Sequence, residues 1–246
     1  FYSIPTSKIA YEFTRKVYQL LDLDMRNIEA TYTSYDLIDE SKKDQIIEKE
    51  TIKINNKKLK FDVIVGNPPY QESDGGGMGS SALPLYQKFV YVAKQQQPSF
   101  ISMIIPSRWF TGGRGLDEFR DEMLNDKRIK GITDYLNTKD CFPDVDLKGG
   151  VCYFLWDKNY NGKTNVNTYE NGSLISNAQR DLLEKGAETF IRYNEAISIL
   201  HKVQNFNEKS FADIVSANDP FGFDTREAGG YKRIKPKFKK TPFDNC

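Results

Sequence analysis

One stretch constrains the fold of this 246-residue chain more than any other: FDVIVGNPPY, residues 61–70. Phe61, Val63, Ile64 and Val65 make a short apolar run, the pattern of a buried strand in a parallel sheet. The run stops at Gly66, and Asn67-Pro68-Pro69-Tyr70 follows at once. Consecutive prolines lack the backbone N–H that a central strand must donate, so the ladder ends there. The chain therefore leaves the sheet at the carboxyl end of a strand, the edge at which open α/β sheets bind ligands.

The residues at that exit suit one kind of chemistry. An amino group conjugated to an aromatic ring is a poor nucleophile, because its lone pair is delocalised into the ring. Two acceptors on its two N–H bonds favour a more tetrahedral nitrogen and free the lone pair. The Asn67 side-chain oxygen can be one acceptor. The Pro68 carbonyl can be the other, held stiffly by the flanking prolines. Tyr70 offers a flat face on which an aromatic base can stack. No general base is needed, since attack gives a cationic amine that sheds its proton afterwards. Acceptors set in place in advance act most strongly in the transition state and so affect rate. The competing reading is a rigid strand-ending turn, because Gly, Asn and Pro are common turn residues.

Composition narrows what surrounds this turn. At 39% hydrophobic, the chain can bury one core and a small extra piece. No apolar run is long enough to cross a membrane, and no signal-peptide pattern opens the sequence. Cys141, Cys152 and Cys246 are too widely spaced for a metal site or a disulfide framework, which fits a reducing, cytoplasmic setting. His201 is the single histidine, which excludes histidine-based metal or triad chemistry and places it on a polar helix face. A net charge of +1 gives no global nucleic-acid signal, so any such signal is local. The chain opens on Phe1 inside an apolar pattern, as a fragment or trimmed polypeptide does.

In chain order, residues 1–4 read as the end of a strand. Residues 8–23 read as a helix with Ile9, Phe13, Val17, Leu20 and Leu21 on its apolar face, capped by Thr6 or Ser7. Residues 28–35 alternate and predict a second strand, ending at Asp36-Leu37. Residues 39–50 predict a short exposed helix, and residues 51–60 a hairpin turning at Asn55-Asn56. The Gly- and Ser-rich run 71–84 is a loop, either a closure over a ligand or a plain linker. A helix over 85–96 turns Phe89, Val90 and Val92 inward. A buried strand over 99–105 stops at Pro106, which puts Arg108 and Trp109 at the ligand edge, with Trp109 in a packing role. A helix (116–124) and a strand (129–136) follow, then a loop through Phe142-Pro143. Next come a continuous apolar strand (151–156) and a further strand (164–169). A strand-like patch at Phe190-Ile191 and a helix over 194–203 finish this part. From about residue 205, Lys232, Arg233, Lys235, Lys237, Lys239 and Lys240 crowd beside Tyr231 and Phe238. Interleaved basic and aromatic residues suit a segment that tracks phosphates, with a solvated tail as the alternative.

Together these residues carry a resemblance. FDVIVGNPPY, the strand ending at Pro106-Ser107-Arg108-Trp109, and DCFPDVDLKGGVCYFLW (residues 140–156) resemble the adenine-specific DNA methyltransferases of restriction-modification systems. Within these they resemble the gamma class typified by the TaqI methylase. The likeness runs from about residue 1 to about residue 204. It implies an α/β, Rossmann-like S-adenosyl-L-methionine-dependent methyltransferase sheet. That sheet is mostly parallel, has an antiparallel strand near its C-terminal end, and is N-terminally truncated, because the family's Gly-rich cofactor box is not in this sequence. The family's box maps onto Asn67, Pro68, Pro69 and Tyr70 as catalytic residues. Tyr70 and Phe142 are then expected to stack on a base swung out of the duplex, where its amine can reach the cofactor. The alternative for Phe142 is a core aromatic covering the sheet end. The resemblance gives Asp36 and Asn67 cofactor contacts, while Asp36 read by itself is a cap or turn residue. Pro5 stands where the family has its ribose-binding acid. Lys148, Lys232, Arg233 and Lys235 are the expected DNA contacts, Lys148 being otherwise a solvated lysine.

The expected organisation is a partial catalytic domain over residues 1–204 and the start of a target-recognition, DNA-binding region over 205–246. The expected function is a fragment of a site-specific DNA adenine N6-methyltransferase. Its substrate is double-stranded DNA, its neighbour a restriction nuclease domain or subunit of the same system, and the fragment alone binds the cofactor weakly. Two readings from other classes stay open. One is a methyltransferase with the same box acting on protein glutamine or RNA. The other is a non-catalytic DNA-binding scaffold piece. The Phe142 loop and the basic tail argue against the glutamine substrate, whose side-chain amide needs no flipping pocket.

Overall fold

The computed structural model describes residues 1–71, 83–113, 115–145, 147–206 and 208. Most of the Gly- and Ser-rich run, and Lys232, Arg233 and Lys235, lie outside the described residues. The chain divides into two compact units, residues 1–198 and 199–246, and the first holds the sheet.

Helix α1, Lys8–Leu20, starts at Ser7, whose Oγ accepts the Ala10 N–H at 3.2 Å. Its predicted apolar face forms but is left uncovered, since Ile9, Phe13 and Leu20 are all exposed. The predicted strand over 28–35 does not form. Only Ser3 and Ile28 pair, in an isolated parallel bridge. The chain turns directly after it because the buried Glu29 carboxylate accepts the backbone N–H groups of Thr31 at 2.6 Å and Asn55 at 2.6 Å. A buried acid held by backbone donors fixes a turn where alternation alone suggested a strand. Helix α2, Lys43–Ile46, leads into β1 (Ile47–Glu48), β2 (Thr51–Ile54) and β3 (Lys57–Leu59), a small antiparallel sheet. Asn55 and Asn56 take φ of 46° and 64°, the left-handed pair that a two-residue hairpin requires.

The main sheet follows. Its elements are β4 (Val63–Gly66), α3 (Tyr86–Gln95), β5 (Phe100–Pro106), α4 (Asp117–Asn125), β6 (Ile129–Tyr135), β7 (Val151–Asp157), β8 (Thr164–Glu170) and β9 (Ser173–Arg180), with helix α5 (Glu195–Gln204) after them. The six strands lie in the order β4-β5-β7-β6-β8-β9. The pairings make β4, β5, β6 and β8 point one way, with β7 and β9 opposed. The sheet is thus mostly parallel in direction, with antiparallel strands toward the C-terminal end. Phe190-Ile191 is not a strand; Phe190 is buried, its ring 4.3 Å from that of Phe110.

The core sits on one face. Register places Ile101 opposite Trp156, Met103 opposite Phe154 and Ile105 opposite Cys152. These residues pack with Tyr86 and Val90 of α3 and Phe119 and Met123 of α4. Trp109 is fully buried, with its ring 5.7 Å from that of Phe119, a packing residue as expected. The opposite face exposes Phe100, Tyr153 and Leu155. The expectation that residues 61–65 form a buried strand is corrected. β4 is the edge strand, and Val63 and Val65 are 53% and 72% exposed, because no described residue pairs with its outer edge or covers that face. Only Ile64 turns into the core.

At the far end of the sheet one carboxylate ties α3, α4 and β7 together. Asp126 accepts from Arg128 Nε at 2.7 Å, Lys94 Nζ at 2.9 Å and Trp156 Nε1 at 3.0 Å, while the Asp126 and Lys94 side chains are only 4% and 10% exposed. Burial pushes the Asp126 carboxyl up, but these donors outweigh it and hold it well below the usual carboxylate range. A carboxyl depressed in the folded state stabilises above its unfolded pKa, about 4, and loses that contribution as pH falls toward its folded value. Asp126→Ala, which leaves Lys94 buried without this partner, is expected to cost about 3–5 kcal/mol at pH 7. Denaturant unfolding measures this, and the difference from the unsubstituted chain should narrow as the pH is taken below about 4.

Candidate active site

Four strands end at one edge of the sheet, and the other two begin there. β4 stops at Gly66, β5 at Pro106, β6 at Tyr135 and β8 at Glu170, while β7 starts at Val151 opposite both Pro106 and Tyr135. Gly66 pairs with Met103, so the Asn67-Pro68-Pro69-Tyr70 turn begins where β5 still has three residues to run, Ile104 to Pro106. Pro68 is buried, Pro69 and Tyr70 are half-buried, and Asn67 is exposed. The Asn67 side chain makes no hydrogen bond among the described residues. The Tyr70 carbonyl accepts the Leu85 N–H at 3.1 Å, and Gln71 forms an antiparallel bridge with Pro84. These two contacts tie the end of the turn to the start of α3.

Tyr70 directs its hydroxyl inward. That oxygen is buried and has no hydrogen-bond partner among the described residues. Burial pushes its pKa up to about 12, with the Cys152 and Cys141 thiols adding to the shift. Cys141 precedes Phe142, so the loop between β6 and β7 lies beside Tyr70. A short turn, Thr138–Asp140, opens that loop, with the Asn137 side chain accepting the Lys139 N–H. The Phe142 N–H donates to the Thr138 carbonyl at 2.8 Å, and Thr138 Oγ1 donates to the Leu147 carbonyl at 2.7 Å across the loop stem. Phe142 is half-buried and Lys148, at the turn before β7, is exposed.

Asp36 lies in a short 3-10 turn, Ser34–Leu37. Its Oδ2 accepts the Thr33 N–H at 2.7 Å and the Thr33 hydroxyl at 3.1 Å, and its Oδ1 pairs with Lys42 Nζ at 2.5 Å. The Lys42 ammonium, together with the Thr33 donors, holds this carboxyl below its ordinary value against the opposing effect of burial. Asp36 is a capping residue in this structure, the reading its sequence position also allowed. Pro5, at the expected place of a ribose-binding acid, is buried, and its carbonyl accepts the Ser34 N–H at 2.9 Å.

Beneath the Phe142 loop lies a polar junction. Asp134 is fully buried on β6 and accepts Arg192 Nε at 2.6 Å, Arg192 Nη2 at 2.8 Å and Ser107 Oγ at 2.7 Å. The Ser107 N–H donates to the Gly150 carbonyl at 3.0 Å. Gly150 takes a φ of 82°, and a Cβ there would meet the Tyr135 carbonyl oxygen at 2.0 Å.

Residues 1–142 match the model of the family described as the Eco57I restriction-modification methylase. That span holds the Asn67–Tyr70 turn and ends on Phe142. The chain belongs to the Eco57I restriction-modification methylase family. An uncharacterized adenine-specific methylase from Mycoplasma pneumoniae is 37% identical over 168 residues, 65% of this chain and 37% of that protein. The chain thus spans less than two fifths of that relative's length. Among solved structures, a type I restriction-modification methyltransferase subunit from Streptococcus thermophilus is similar at 14% identity and a TM-score of 0.44, over 83% of this chain and 42% of that one. The M protein of the type I enzyme EcoKI is similar at 13% identity and a TM-score of 0.45, over 69% and 35%.

In this Eco57I-family chain the sequence pattern pointed to the turn and the Phe142 loop but missed the junction under them. An acid at Asp134, on the same strand face as Ile132, was a signal that a buried partner exists. That partner, Arg192, lies 58 residues away and carries no local mark. Gly150→Ala should destabilise the chain by at least about 2 kcal/mol, because it adds a steric clash to a left-handed backbone. Thermal unfolding checks this, and Gly149→Ala isolates the clash, since Gly149 has a φ of 96° too but an open Cβ position.

Proposed function

We propose that this chain carries the amine-binding half of a DNA adenine N6-methyltransferase from a restriction-modification system. The observation that carries the reading is an exposed Asn67 amide, without a hydrogen-bond partner among the described residues, next to a buried Pro68 at a strand exit, beside the Tyr70 ring and the Phe142 loop. The family and the adenine-specific name of the Mycoplasma relative support it.

In this reading a target adenine leaves the duplex and lies between Tyr70 and Phe142. The Asn67 side-chain oxygen and the Pro68 carbonyl accept the two N–H bonds of its amine, which returns the lone pair to nitrogen. S-adenosylmethionine, when bound, supplies an electrophilic methyl group. Methyl transfer to this amine would leave a positive charge on its nitrogen, which loss of a proton to water would discharge. The two acceptors stabilise the positive charge that develops on nitrogen. Of the two residues expected at the methyl donor, Asn67 fits, having an open amide. Asp36 does not fit, because Thr33 and Lys42 occupy its carboxylate. The remaining donor-binding groups are assigned to parts of the parent protein outside this chain. The outer edge of β4, which no described residue pairs with and where Val63 and Val65 are exposed, suits a further strand of that parent. Lys148 is assigned to DNA phosphates, and so is the segment holding Lys232, Arg233 and Lys235, which belongs to a target-recognition region beginning near residue 205. A restriction nuclease of the same system is the proposed functional partner.

The test uses the full-length parent and host DNA that lacks N6-methyladenine. Asn67→Ala should lower methylation about 10²–10³-fold while DNA affinity stays close to that of the unsubstituted enzyme. Tyr70→Phe should keep activity, since its hydroxyl is buried and unpartnered, whereas Tyr70→Ala should lose about 1–3 kcal/mol of base stacking. Undiminished methylation by Asn67→Ala would exclude this reading.

A further inference from the structure

We propose that Arg192 is a positioning residue for the Phe142 loop, acting through Asp134 and Ser107 without touching the reacting atoms. The proposal deepens the methyltransferase reading and rests on it for its activity measurement.

The loop leaves the sheet after β6 and returns at Gly150, so its two ends meet at one place. Leu136, at the outgoing end, donates its N–H to the Tyr169 carbonyl at 3.0 Å. At the returning end, a Cβ on Gly150 would come within 2.0 Å of the Tyr135 carbonyl, 2.9 Å of the Leu136 carbonyl and 3.0 Å of Arg192 Nη2. The guanidinium therefore lies directly against the closure of the loop. Its fork grips both oxygens of Asp134 at 2.6 and 2.8 Å. One of those oxygens also takes the Ser107 hydroxyl at 2.7 Å, and the Ser107 N–H takes the Gly150 carbonyl. The end of β5, the end of β6 and the start of β7 are thus joined through one buried carboxylate. The guanidinium lies 5.7 Å from the Phe110 ring centre, which limits its freedom further.

The clamp is itself anchored. The Arg192 carbonyl accepts Thr168 Oγ1 at 2.9 Å, and the neighbouring Ile191 carbonyl accepts Arg180 Nη2. Asn194 holds Arg180 Nε at 2.7 Å and Ser176 Oγ at 2.5 Å. A segment downstream of the last strand therefore reaches back to fix a loop that closes about 40 residues earlier in the chain. A pair able only to hold the fold together needs no such link to Gly150. This one sets the direction in which Phe142 is presented to Tyr70.

The experiment uses the full-length parent, methyl-transfer assays on genomic DNA lacking N6-methyladenine, and amide hydrogen exchange. Arg192→Lys keeps the charge but cannot make the two-pronged contact. Its turnover at saturating DNA and methyl donor should fall about 10–100-fold, with the apparent KM for DNA within about threefold of wild type. Exchange over residues 137–149 should rise about tenfold or more, while β7 and β8 keep wild-type protection. Asp134→Asn combined with Arg192→Gln leaves no uncompensated buried charge and guards against misfolding; it should give the same two results. Wild-type loop exchange in both variants overturns the proposal, and so does faster exchange with unchanged turnover. A parent that methylates no adenine overturns the functional reading instead, and loop exchange then decides the clamp by itself.

Discussion

The antiparallel ladder between β5 and β7 is the interaction on which the rest of this structure depends. It runs unbroken from Phe100 opposite Asp157 to Pro106 opposite Val151. Because it is antiparallel, the strand that enters the sheet at the ligand edge does so beside the strand that leaves there. The Phe142 loop is thereby delivered to the edge where β4 releases Asn67 and Tyr70. The same ladder stacks Ile101, Met103 and Ile105 beside Trp156, Phe154 and Cys152 on one face. Burying six such side chains against α3 and α4, at roughly 1.5–3 kcal/mol for each large one, is ample to hold this register. A slip of one residue by either strand would turn its own three to the open face.

That one-sided core explains where the sequence was legible. Val151 to Trp156 and the run before Pro106 read correctly as strands, because continuous apolar residues ended by turn signals leave little choice. The Asn55-Asn56 hairpin was legible for a local reason, since both residues tolerate left-handed backbone. The β4 run was read correctly as a strand and wrongly as buried. Its pattern encodes a strand with both faces covered, and the described residues cover only the face that Ile64 meets. The apolar stripe of α1 carries the same message, with Ile9 and Phe13 facing solvent. Residues 28–35 failed for the opposite reason. Alternation suggested a strand, but Glu29 gave its carboxylate to backbone N–H groups and bent the chain. The candidate site divides in the same way. Asn67, Tyr70 and Phe142 stood out because prolines beside polar and aromatic residues punctuate apolar runs. Asp134, Ser107 and Arg192 did not, because a contact between residues 58 positions apart leaves no period in the sequence.

The division between rigid and open parts of the edge has a physical logic. Pro68 is buried and Pro69 half-buried, so the backbone that carries the Pro68 carbonyl is fixed by packing as well as by its rings. Ordering one flexible residue costs about 1–2 kcal/mol, and this turn has already lost that freedom before any ligand arrives. Asn67 stays exposed, so its amide keeps the capacity to accept a hydrogen bond that a packed residue would have spent. The Tyr70–Leu85 and Gln71–Pro84 contacts then tie the end of the turn to the start of α3. In the proposed reading, a stiff carbonyl beside an exposed amide gives an acceptor pair whose geometry is set before any ligand arrives.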